Sequence, residues 1–213
     1  MTDSVVGRGF ARVCLVGGPI LVAIAALLFG PVAGGDHAER LQDVRDNSGL
    51  LVAAVNSLGV GLVLMAFAVL HVVQRLAGAS PVAARVFGFM LVAGMMLSHF
   101  FEGSDITLRG LALAADPDVG VAVLEKAEDA FVIHYLIAPF YALGALGLAV
   151  VAARSGIVPA WSGLFFAAWL LIPVGILSGV TPIAAIGALG LLIAFWPFLT
   201  DRPTIASGPQ PQT

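Results

Sequence analysis

"GLLVAAVNSLGVGLVLMAFAVLHV", residues 49–72, runs for 24 residues without an aspartate, glutamate, lysine or arginine. A helix that spans a bilayer needs roughly 20 consecutive, mostly apolar residues. This run is long enough. A membrane-spanning strand would need about 10 residues of alternating polarity, and the run has no such alternation. Five more apolar runs flank it, at 13–33, 84–101, 130–153, 160–178 and 182–199, none charged between its end turns.

Composition agrees. The chain is 60% hydrophobic and 11% charged, with a mean hydropathy of +1.02. Soluble domains carry about 25% charged residues, so this chain could not cover itself in water. The sequence therefore predicts an all-α, polytopic membrane protein. Six transmembrane helices form one domain over residues 1–200, followed by a disordered tail over 201–213. "SGVTP", Ser178 to Pro182, makes a helical hairpin of the last two spans. The first apolar stretch, Val13 to Phe29, exceeds the 7–15 residues of a secretory signal core and reads as a retained span. Cys14 is the only cysteine, so no disulfide forms within the chain.

Charge orients the bundle. With the N-terminus inside, the inner segments hold Arg8, Arg12, Arg75, Arg85, Arg154 and Arg202, and the outer ones Arg40, Arg45, Arg109 and Lys126. Basic residues favour the cytoplasmic side, so both termini are expected there. Eleven of the thirteen acids then fall outside.

The stretch "MMLSHFFEGSD", Met95 to Asp105, becomes the outer end of the third span. His99 sits about one turn below the interface and Glu102 near the headgroups. His134 lies one turn into span four, and Asn56 two turns into span two. Residues three or four apart share a helix face. His99 and Glu102 continue a line through Gly88, Val92 and Met95; Ser98 and Asp105 form the adjacent one. Leu124, Phe131, His134 and Tyr141 make a stripe on a helix that starts near Val119, with Glu125 and Glu128 on a solvated face.

Polar side chains in lipid usually face the bundle interior. The expected site is thus an outward-opening layer. His99, His134 and Glu102 are its acid–base groups; Asn56, Ser98, Tyr141, Asp105 and Met95 contact substrate. A half-buried Glu102 would have a raised pKa and could transfer protons. The alternative is structural: each histidine only bonds a neighbouring helix, worth about 0.6–2 kcal/mol, and Glu102 is a solvated cap. Asp116, Asp118, Glu125, Glu128 and Asp129 read as a wet surface with Lys126 and Arg109 as partners. No cofactor is expected. His99 and His134 could bracket a haem or hold another metal, but there is no His-x-x-x-His or Cys-x-x-Cys-His pattern. His71 is expected at the inner interface.

Gly175-x-x-x-Gly179 and Gly61, Gly144, Gly147, Gly187 and Gly190 allow close helix approach. Such faces would also serve a homo-oligomer. Pro19, Pro139, Pro173 and Pro197 permit kinks. Trp161 and Trp196 fit an inner aromatic belt, with Trp169 deeper.

The short loop "RSGIVPAW", with Arg154, Ser155, Ile157, Val158, Pro159 and Trp161, resembles a loop of a bacterial six-span integral membrane family, domain of unknown function 4386. That resemblance implies a fold and a bacterial inner (cell) membrane, and no activity.

Three functions are consistent with these residues. The first is a membrane-embedded acid–base enzyme, an isomerase or cyclase, acting on an apolar lipid-, terpene- or polyketide-like small molecule. The second is a non-catalytic membrane partner or small-ligand sensor. The third is a transporter subunit, disfavoured by the lack of an inverted repeat or a pair of broken helices. Lipid bilayer is the expected surrounding, and nucleic acid is not an expected partner.

Overall fold

In lipid a backbone must satisfy its own hydrogen bonds, as helix or as closed barrel, and apolar runs this long and without alternation suit the helix. The computed structural model describes residues 7–32, 36–114, 116–128 and 133–199; the side chains at 32, 98–104, 114, 127–128, 133–138 and 177 are not among those described. In chain order the helices are α1 (Arg8–Phe29), α2 (His37–Asp46), α3 (Ser48–Leu76), α4 (Pro81–Ala114) and α5 (Pro117–Glu128). There follow α6 (Ile133–Arg154), α7 (Ala160–Leu164), a 3-10 stretch (Phe165–Leu170), α8 (Leu171–Leu177) and α9 (Thr181–Leu199). No strand occurs among the described residues.

Three of these helices, α1, α3 and α9, are long and apolar enough to cross a membrane. Shorter apolar stretches lie in α4, α6 and the α7–α8 segment. Their uncovered faces are as apolar as their packed ones. On α1, Val13, Val16, Ile20, Ile24 and Leu27 recur at three- and four-residue spacing and are exposed, while Cys14, Leu15 and Val22 are fully buried. A helix apolar all round needs protein or lipid on every side.

The apolar segments close a ring in chain order. α1 packs on α3, α3 on α4, α4 on α6, α6 on α7 and the 3-10 stretch, these and α8 on α9, and α9 back on α1. Neighbours run antiparallel, and glycines set their approach. Gly94 lies against the Tyr141 backbone and Gly144 against the Leu91 backbone, a reciprocal crossing of α4 and α6. Gly18 against Met65 and Gly61 against Val22 repeat the device between α1 and α3. Without a Cβ at these positions the backbones come within van der Waals contact, the small-residue approach that also serves helix pairs in membranes. Gly147 against Phe87, and Gly187 and Gly190 against Ala168, likewise lie at crossings inside the chain.

The Gly175-x-x-x-Gly179 pair divides its labour. Gly175 touches the backbone of Ala184 on α9. Gly179, with φ of 71°, makes the turn between α8 and α9. It contributes no face to a helix crossing.

Two of the expected spans differ from the structure. The run 160–178 is not one α-helix, because residues 165–170 tighten into 3-10 geometry. Pro173 has no N–H for the Trp169 carbonyl, and its ring crowds that group, so regular α-helix fails in the turn before it. The run 84–101 belongs to a helix that continues to Ala114. Glu102, Asp105 and Arg109 end the apolar run but do not end the helix, and 13 further residues project roughly 20 Å.

That projection anchors a small cap. In α2, Asp36 Oδ1 accepts from the Glu39 amide at 2.9 Å, fixing the helix start. Leu41 and Val44 of α2 are buried, with Leu51, Ala54 and Val55 of α3 and Leu108 and Ala112 of α4. α5 begins at Pro117, close to the expected Val119, and packs Val121 and Leu124 on this cluster, while the expected continuation of that helix into span four passes through 129–132, outside the described residues. Asp116, Asp118 and Glu125 are exposed, as a wet face requires.

Arg45 Nε donates to the Ala112 carbonyl at 2.8 Å, an acceptor left free by the last turn of α4. Arg45→Ala should cost about 1 kcal/mol. Amide exchange should speed up over 105–114 and 37–46 while the ring stays protected. Unchanged exchange in both segments would show that the cap does not depend on this bond.

Candidate functional site

α3 presents one exposed stripe, formed by Val52, Asn56, Val60, Val63 and Phe67 at three- and four-residue spacing. Asn56 is the polar member of this otherwise apolar face. Its carboxamide makes no hydrogen bond to a described residue. The expectation that Asn56 faces the bundle interior is therefore corrected. α3 turns Val55, Leu62, Met65 and Val69 inward instead, and helical spacing puts residue 56 on the far side.

Asn56 sits in a half-open cavity of about 220 Å³ between α3 and α4. Leu51, Val52, Val55 and Ile106 form its apolar wall. Its polar groups are Asn56, Asp105 and Arg109. Asn56 and Asp105, both expected in a site, are thus brought together.

Asp105 is already engaged. Arg40 Nη2 of α2 stands 3.5 Å from Asp105 Oδ1, and the carboxylate side chain is only 17% exposed. Arg109 lies one turn further along α4. Its Nε is buried and has no acceptor among the described residues. It was expected to pair with the acidic surface over 116–129; it lines the cavity instead.

Tyr141 and Met95 lie elsewhere, in the buried core of the ring. Tyr141 meets Trp169 edge-on, with ring centroids 5.9 Å apart. Neither lines the cavity. His71, near the C-terminal end of α3, is buried. The side chains of Ser98, His99, Glu102 and His134 lie outside the described residues. Their backbones place Ser98, His99 and Glu102 in α4, one to two turns before Asp105, and His134 in the first turn of α6. The haem or metal alternative rests on His99 and His134, and so lies outside those residues too.

Arg109 was assigned to the wrong partner because the sequence counts charges near it. It gives no sign that Arg40 claims Asp105 first. A usable signal was the four-residue spacing of Asp105 and Arg109, which places both on one face of α4. Comparison with protein-family models, curated proteins and solved structures finds no match to the chain.

Proposed function

We propose that the chain is a six-span membrane protein, with both termini on the cytoplasmic side, that takes an apolar or amphiphilic molecule at its α2/α5 end. His99 or His134 serves as base and Glu102 as acid, in an isomerisation or cyclisation. The cavity between α3 and α4 carries the reading, since it opens on the apolar surface one turn along α4 from Glu102. A substrate dissolved in the bilayer would enter sideways without crossing water. The bacterial inner membrane is the setting the loop "RSGIVPAW" suggests.

The test works on a mixture, with no single substrate chosen in advance. Protein in nanodiscs is incubated with a total lipid extract, and products are separated by chromatography with mass detection, since isomers differ in retention and not in mass. Wild type should deplete one species and yield another. The His99→Ala/His134→Ala double variant should lose this at least a hundredfold, the scale of lost acid–base catalysis, with unchanged melting. Identical chromatograms from both proteins would rule the enzyme out.

A second reading is a ligand-binding protein without catalysis. In its favour, Asp105 is ion-paired, and Asn56 and Arg109 are groups that hold a ligand rather than relay protons. Transport has less support. The break in the α7–α8 segment would need a counterpart in α3 for an inverted repeat, and α3 is continuous.

A further inference from the structure

The groove between α3 and α4 holds two polar groups with nothing to bind. Arg109 Nε is buried without an acceptor among the described residues, and Asn56 interrupts an apolar exposed stripe. A buried donor left unmade costs about 1–3 kcal/mol, more when charged. Asp105 does not relieve Arg109, because it is paired with Arg40 across the α2–α4 contact. Arg40 meets that carboxylate through Nη2 while its own Nε also stays buried without an acceptor among the described residues, but it is Arg109, and not Arg40, that lines the cavity. We propose that this groove binds an anionic single-chain amphiphile, its carboxylate or phosphate head on Arg109 and Asn56 and its chain along the exposed stripe of α3. This rests on the reading of the cavity as a ligand site and adds the charge of the ligand's head.

Chemistry and size both fit. A guanidinium offers paired donors matched to carboxylate or phosphate oxygens, and a carboxamide adds a further donor. A volume of about 220 Å³ is below the 300–1,000 Å³ of pockets that enclose a whole drug-sized ligand. It suits a head and its first methylenes. The rest of the chain leaves over Val60, Val63 and Phe67, which are exposed in line below Asn56. A neutral head would leave the guanidinium unpaired.

The test is calorimetric titration of the full-length protein in phosphatidylcholine nanodiscs with dodecanoate, dodecyl phosphate, dodecanol and inorganic phosphate. Both dodecyl anions should bind, and dodecanol at least tenfold more weakly. Inorganic phosphate should not compete at equal concentration, which separates a chain-bearing head from a free anion. Arg109→Gln should weaken the anions about tenfold to a hundredfold, the range of a lost charge-assisted bond, and leave dodecanol unchanged. Asn56→Leu should weaken them less and keep the melting temperature. Val52→Trp, which fills the groove mouth, should remove binding of anion and alcohol alike, and serves if Arg109→Gln fails to fold.

Equal binding of dodecanoate and dodecanol, unaffected in Arg109→Gln, would overturn the assignment of the head while leaving the cavity a ligand site. Binding of no dodecyl compound, or no response to Val52→Trp, would overturn the cavity reading itself. Competition by inorganic phosphate alone would assign a free-anion site and also overturn the proposal.

Discussion

Gly144→Leu is expected to abolish recovery of folded protein. A Cβ added at Gly144 would lie 2.5 Å from the Leu91 amide nitrogen and 2.8 Å from the Leu91 Cα. These are backbone atoms of α4, so no rotamer change relieves the overlap. The two helices would have to separate. The same crossing carries Gly94 on the Tyr141 backbone, where an added Cβ would sit 3.1 Å away. Separation at one point therefore loosens the other, and with it Leu91, Met95, Tyr141 and Ala145, all buried. Overpacking costs about 1–3 kcal/mol even where side chains can yield, and a leucine against backbone should exceed that range. Gly144→Ala should be intermediate, with a lowered melting temperature. Size-exclusion profiles in mild detergent give the readout. A monodisperse Gly144→Leu protein melting like wild type would mean α4 and α6 do not meet here. Gly110→Leu on α4, with nothing within 4 Å of the added Cβ, should be tolerated.

That crossing marks how far the sequence could be read. Hydropathy located α1, α3 and α9 to within a few residues, because lipid acts on average polarity over about 20 positions. Small residues at Gly61, Gly144 and Gly187 pointed to close packing, and each does lie against a neighbouring helix. What hydropathy could not show is helix that lipid does not require. α2 is held by Leu41 and Val44 and started by Asp36, and its charged remainder lowers the average. The capping pattern of Asp36 and Glu39 was its one local sign. The continuation of α4 to Ala114 rests on Leu108 and Ala112 packing under α2, a tertiary fact.

The site was less legible for a similar reason. Spacing can say that Asp105 and Arg109 share a face of α4, but not that Arg40 reaches Asp105 from 65 positions away. Depth in the bilayer suggested that Asn56 and Tyr141 belong together. Rotation about each helix axis separates them: one lines an open groove and the other packs on Trp169. Four residues of the expected site, Ser98, His99, Glu102 and His134, have side chains outside the described residues, so their chemistry stays a proposal.

Trp169→Ala should be the second severe lesion, and Trp169→Phe should not be. Trp169 is fully buried in the 3-10 stretch and meets Tyr141 edge-on. Emptying such a site costs about 3–5 kcal/mol, since surrounding helices relax only partly. The indole N–H tells against a polar role. Nε1 is buried and has no acceptor among the described residues. The 3-10 geometry fixes where this ring enters the core. Phenylalanine keeps an aromatic edge for Tyr141 and deletes the donor. It removes a penalty of about 1–3 kcal/mol and gives up part of the indole's packing, so the two effects should cancel to within about 1 kcal/mol. Unfolding in mild detergent, followed by helical circular dichroism, separates the cases. Damage in Trp169→Phe equal to that in Trp169→Ala would mean the N–H is engaged, by water or a bound molecule, inside the ring. The interior would then be a second polar site, and the cavity at Arg109 would not be the place to look first.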